Sequence, residues 1–150
     1  MNTPFVRYKH GGKVPLGFPR IGDGTSRHGY GPEVFAPCGW HCTYCDRDLL
    51  ESYVSWLDVS VDHVIPQSTP WHGPGKRWIG DIFNLVTCCR ACNEFLNQYA
   101  VPDPEPLTVD EFVTLRDHVL AAKRVKALTR HEEERVMYER ALEAERGRSG

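Results

Sequence analysis

Six cysteines, one Asp-His pair and two asparagines hold most of the chemistry available to this 150-residue chain. The cysteines fall at 38, 42, 45, 88, 89 and 92, so Cys42 with Cys45 and Cys89 with Cys92 form two Cys-x-x-Cys pairs. Two-residue spacing lets a tight turn aim both thiolates at one ion, and two such pairs supply the four soft ligands of a tetrahedral structural zinc. A second register is available, Cys38 with Cys42 and Cys88 with Cys92. The shorter spacing favours the first, leaving Cys38 and Cys88 as small buried hydrophobes. Asp62 and His63 lie between the pairs, Asn84 precedes Cys89 by five residues and Asn93 follows Cys92 directly. Histidine, with an unperturbed pKa near 6.5, is a general base suited to neutral pH. Asp62 and Asn93 offer hard oxygens of the kind Mg²⁺ prefers. Spacing alone does not separate the role of Asn84 from that of Asn93.

The elements that must position these groups are short. Leu57, Val59 and Val61 alternate with Asp58, Ser60 and Asp62, the pattern of a half-buried strand running into His63. A turn-rich stretch, PQSTPWHGPGKRW, follows. Residues 81–87 (DIFNLVT) read as a second strand or extended loop, and residues 90–99 as a short helix with Phe95, Leu96 and Tyr99 facing inward. The 43 residues between Cys45 and Cys89 exceed a zinc-ribbon gap and suit an inserted strand and loop. After VPDPEP, two Ser/Thr-x-x-Glu boxes, Thr108–Glu111 and Thr129–Glu132, predict two helices. The first carries an apolar stripe of Phe112, Leu115, Val119 and Leu120. The second is mostly charged, which predicts a helix either solvated or facing a protein partner or a second copy.

CTYC at 42–45, DHVIP at 62–66 and NLVTCCRACN at 84–93 together resemble the HNH family of ββα-metal nucleases, in the subfamily braced by a zinc on two Cys-x-x-Cys knuckles. The resemblance spans residues 38–99. It implies an α+β fold, a small ββα-metal core stapled by a four-cysteine zinc, and an endonuclease hydrolysing DNA with a catalytic Mg²⁺ or Mn²⁺ beside the structural Zn²⁺. It also implies roles: His63 as general base, Asp62 and Asn93 as ligands of the catalytic cation, and Asn84 as the residue orienting His63 or its loop. Two positions depart from the family pattern. Leu96 stands where members often carry Lys, so Arg90, Lys76 and Arg77 become the candidate nucleic-acid contacts. Asn93 stands where many members carry His, and it keeps an oxygen ligand. The competing expectation is a catalytically silent zinc module that binds nucleic acid or protein.

With 18 Lys+Arg, 20 Asp+Glu, 41% hydrophobic residues and a pI near 6.4, the composition excludes collagen-like chains and polybasic nucleic-acid coats. It also shows no membrane-length apolar run and no secretion signal, which suggests a reducing cytoplasm, where cysteines serve as thiols or metal ligands. Three segments emerge: a Gly/Pro-rich irregular arm (1–36), the core (37–100), and a linker with a helical C-terminal extension (101–150). The arm holds Arg7, Lys9, Lys13, Arg20 and Arg27 against Asp23 and Glu33, a net of +3, whereas the core carries −3 before any thiolate is counted. Each phosphate neutralised steepens the slope of log K against log[salt] by about 0.9. Deleting the arm should therefore weaken DNA binding and flatten that slope, as measured by titrations at several salt concentrations.

Overall fold

A computed structural model describes residues 31–150. Its centre is an antiparallel pair, β1 (Val59–His63) and β2 (Leu85–Cys89), followed immediately by a short helix that closes the ββα unit. The register sets Val59 opposite Cys89, Val61 opposite Thr87 and His63 opposite Leu85. β2 is buried at all five positions, which explains its unbroken LVTCC run in place of an alternating pattern. Its last residue, Cys89, caps the closing helix, α4 (Arg90–Phe95); the Cys89 sulfur accepts the N–H of Cys92 at 3.5 Å. Helix α4 is thus shorter than the expected 90–99, and the second strand starts at Leu85 because a 3-10 turn, Ile82–Asn84, occupies the preceding residues.

Other elements enclose this unit. Helix α1 (Gly31–Phe35) and a 3-10 turn (Ala36–Cys38) lead in. Val34 and Phe35 are buried in the core, so the arm expected over 1–36 gives way to packed structure from residue 31, because these apolar side chains have a surface to cover. The rest of that arm, residues 1–30 with its five basic residues, lies outside the described residues, and truncation belongs at residue 30. Helix α2 (Tyr53–Leu57) is capped by Ser52, whose hydroxyl accepts the Ser55 N–H at 3.0 Å. It takes Leu57 out of the expected strand.

Helix α3 (Pro74–Ile79) sits inside the stretch read as turns. Its cap is remote: the Glu105 carboxylate accepts N–H bonds from His72, Gly73 and Lys76 at 3.2, 2.9 and 3.1 Å. Nothing within the local sequence signals a cap supplied from some thirty residues away. Gly75 permits the approach, since a Cβ there would lie 2.9 Å from Glu105 Cγ.

The C-terminal extension is one helix, α5 (Val109–Arg148), 40 residues long or about 60 Å. Thr108 and Glu111 form the predicted capping box. The second box, Thr129–Glu132, does not start a new helix. The sequence across it has no Gly or Pro, and Phe112, Val119, Lys123 and Ala127 bury one stripe of a continuous helix against the core. Beyond residue 131 every residue is exposed. No helix among the described residues is long and apolar enough to cross a membrane.

Asp81 is 4% exposed, and its carboxylate accepts the Phe83 N–H at 3.0 Å at the head of the 3-10 turn. Burial raises its pKa from 3.8 to about 6. A raised carboxyl means that the folded chain holds the proton more tightly than the unfolded chain. This group's contribution to stability is therefore greatest at low pH, falls as pH rises through about 4 to 6, and is flat above. Asp81→Asn keeps the acceptor and removes the charge. Paired melting curves should show it a few degrees more stable than wild type at pH 7 to 8, with the gap closing towards pH 4.5.

Candidate active site and metal centre

Cys42, Cys45, Cys89 and Cys92 place one sulfur each within 4.8 Å of all the others. The Cys45 and Cys89 sulfurs are 3.8 Å apart. Zinc–sulfur bonds of about 2.3 Å in a tetrahedron require an edge of about 3.8 Å, so the donor set and its spacing fit Zn²⁺. The first of the two registers is the one that forms. The 42–45 knuckle is closed by Asp46 N–H on Cys42 O (2.8 Å) and Cys42 N–H on Arg47 O (2.9 Å). Crowding couples the sulfurs: hydrogen bonds from Cys42, Cys89 and Cys92 hold the Cys45 thiol far below the usual range, while neighbouring sulfurs, Cys42 foremost, push Cys92 above it.

The two remaining cysteines stay outside the cluster. Cys88 is fully buried beside the Ser60 hydroxyl (3.1 Å), and burial pushes its thiol up. Cys38 is only partly buried, contrary to expectation, because it ends the 3-10 turn at the edge of the core.

The 42–45 knuckle reaches Asp62 through Tyr44. This residue is fully buried between Cys42 and Cys45, and its hydroxyl donates to Asp62 Oδ2 at 2.5 Å. Lys123 Nζ donates to the same oxygen at 2.6 Å and to the carbonyls of His63 (3.0 Å) and Val64 (3.1 Å). Asp62 Oδ1 accepts no hydrogen bond among the described residues. His63 ends β1, and its loop is pinned from the other side by Asn84. Asn84 is fully buried; its Oδ1 accepts the Ile65 N–H (3.0 Å), its Nδ2 donates to the carbonyls of Ile65 and Ile79 (both 2.9 Å), and its backbone carbonyl accepts the Val64 N–H (2.9 Å). These bonds act on the loop that carries His63.

A polar pocket of about 320 Å³ gathers Asp62, His63, Asn93, Leu96 and Lys123, with Pro66, Gln67 and Ser68 forming one wall. Asn93 is half-buried on α4, and its amide makes no hydrogen bond among the described residues. The structure therefore separates the two asparagines that spacing could not: Asn84 is spent on the loop, and Asn93 faces the pocket. Asp62 Oδ1 and the Asn93 amide oxygen are hard donors that suit Mg²⁺ or Mn²⁺, ions that retain several waters.

The three candidate nucleic-acid contacts divide. Lys76 is tied to the pocket wall, donating to Gln67 O (2.8 Å) and Thr69 O (3.0 Å), so its ammonium is engaged in holding that loop. Arg77 is exposed, and Arg90 is exposed beside Glu94 at 3.8 Å.

Sequence reading missed Tyr44, Lys123 and His131. His131 Nε2 lies 3.2 Å from the Cys92 sulfur, and its ring packs edge-on against Phe95. Tyr44 stood in plain view inside the CTYC motif. Lys123 and His131 had no local signal, being 61 residues from Asp62 and 39 from Cys92.

A ββα unit with a four-cysteine cluster fit for zinc presents an Asp-His strand end and a helix-borne Asn to one pocket, an arrangement suited to a metal-dependent nuclease-type domain. Residues 42–97 match the family model described as HNH endonuclease, and this stretch of the chain is an HNH domain. Comparisons with curated proteins and with solved structures give no match.

Structural zinc contributes on the order of 10 kcal/mol to small domains of this kind. Cys42→Ser or Cys89→Ser should lose zinc and unfold the core, whereas Cys38→Ser and Cys88→Ser should keep it. Elemental analysis with melting curves decides, and retained zinc in Cys42→Ser would rule out the assigned cluster.

Proposed function

We propose that the chain is a divalent-cation-dependent endonuclease that hydrolyses DNA phosphodiester bonds, with His63 as the general base. The carrying observation is the convergence of Asp62, His63 and Asn93 on one pocket of a zinc-clamped HNH frame. Phosphodiester hydrolysis needs a deprotonated water, a cation on the developing charge and fixed geometry between them. His63 accepts the proton of the attacking water. Asn84 and Lys123 fix the backbone that carries its ring, so the base is aimed before substrate arrives. Asp62 Oδ1 and the Asn93 amide oxygen would hold Mg²⁺ or Mn²⁺, which when bound neutralises charge on the scissile phosphate and the leaving oxygen. Residues 37–100 carry a net −3, so DNA contact depends on local cations such as Arg77 and Arg90 and on the basic residues 1–30.

One observation favours the rival reading of a silent zinc module that binds nucleic acid or protein: an ammonium already neutralises Asp62. Cleavage assays on supercoiled plasmid separate the two. His63→Ala should cut the rate by about 10²-fold or more at unchanged zinc content, melting temperature and DNA affinity. Asn93→Ala should raise the Mg²⁺ or Mn²⁺ concentration needed. Asp62→Asn is the better partner test than alanine, because alanine would leave buried Lys123 without its counter-charge. Wild-type cleavage by His63→Ala, or zinc-loaded wild type that cuts no DNA with Mg²⁺, Mn²⁺, Ni²⁺ or Ca²⁺, would overturn the proposal.

A further inference from the structure

Lys123 lies in α5, beyond the segment that matches the family model, yet its ammonium reaches the floor of the pocket. It is 1% exposed, and its three donors are all used, on Asp62 Oδ2, His63 O and Val64 O. Tyr44 and Tyr99 flank the charge with their rings, at 5.7 and 5.8 Å from the ring centres. A lysine that contacts phosphate keeps donors free to follow its ligand. This one would have to break three bonds within buried surroundings to do so, and it acts instead as a fixed charge.

Its effect falls on Asp62. Tyr44 and Lys123 together occupy Oδ2, which leaves Oδ1 as the oxygen available to a cation. Two donors on one oxygen also stop the carboxylate from rotating or from gripping an ion with both oxygens. The same ammonium places a like charge beside any cation on Oδ1, and that repulsion opposes binding.

We propose that Lys123 is a positioning residue of the pocket: with Tyr44 it locks Asp62 so that a single oxygen meets the divalent cation, gaining a fixed geometry at the expense of cation affinity. The inference rests on the cation-dependent nuclease reading above. Orientation and affinity then move in opposite directions when the lysine charge is lost, an outcome that simple loosening of the fold does not produce.

The test is Mn²⁺ binding, followed by electron paramagnetic resonance of free Mn²⁺, together with plasmid cleavage at saturating Mn²⁺, on the zinc-loaded full chain. Lys123→Met should bind Mn²⁺ about tenfold more tightly, the order expected for removing one like charge from beside a divalent ion even at a water-like dielectric, and should cleave at least tenfold more slowly. Tyr44→Phe removes a donor without changing charge. It should cleave more slowly while its Mn²⁺ affinity stays within about threefold of wild type. Equal or weaker Mn²⁺ binding by Lys123→Met that retains zinc and its melting transition overturns the proposal. Should Lys123→Met fail to load zinc, Lys123→Gln carries the same expectation, and wild-type cleavage by Tyr44→Phe overturns the proposal independently of either lysine variant. Wild type that binds no Mn²⁺, or Asn93→Ala that binds it as well as wild type, overturns the underlying cation-site reading and the inference with it.

Discussion

Four sulfurs within 4.8 Å of one another tie the turn at 42–45 to the junction of β2 and α4, and two groups beside the pocket, Tyr44 and Asn93, take their places from that clamp. The ββα unit is small, and two five-residue strands with a six-residue helix bury too little apolar surface to fix one geometry. A tetrahedral ion on these four sulfurs would supply what packing at this size does not: ligand distances set to tenths of an ångström. The clamp acts on chemistry through two short routes. Cys92 is followed by Asn93, so fixing the first turn of α4 fixes the pocket asparagine. Tyr44 sits within the other knuckle and carries that rigidity to Asp62.

Asp62 lies where three supports meet. The zinc knuckle contributes Tyr44, the strand ladder opposite Val86 fixes its backbone, and α5 contributes Lys123. A buried ion pair of this kind adds little net stability, because taking both charges out of water offsets most of their attraction. Its value lies in specificity of arrangement. The ammonium also holds the His63 and Val64 carbonyls, while Asn84 holds Val64 and Ile65 from the opposite side. The loop after β1 therefore has few ways to move without leaving buried polar groups unpaired.

Helix α5 belongs to the site as much as to the surface. Its buried stripe covers the core through Phe112, Val119 and Ala127, and the same stripe delivers Lys123 to the pocket and His131 to the zinc cluster. Spacing of four residues along one helix face thus links the pocket and the four-cysteine cluster mechanically. Past residue 131 the helix is exposed and rich in charged residues.

Sequence by itself determined the parts governed by local spacing. Two Cys-x-x-Cys pairs select one ligand set because the backbone turn between them is local, alternation before His63 marks β1 because strand burial has a period of two, and Thr108 with Glu111 starts α5 because a capping box satisfies its own donors. Tertiary structure decided what depends on groups far apart in the chain. Glu105 caps α3 from some thirty residues away, beyond β2 and α4, so that helix was invisible to a local pattern. The Thr129–Glu132 box was overridden by an uninterrupted helix-forming sequence anchored on the core. Spacing left Asn84 and Asn93 alike; the family resemblance implied separate roles for them, and burial and bonding place one in the loop and the other at the pocket. Lys123 is the clearest case: a lysine on an amphipathic helix reads as solvated, because its charge is stable in water. Only the fold, by bringing one carboxylate and two carbonyls to its ammonium, provides the three partners that make burying it tolerable.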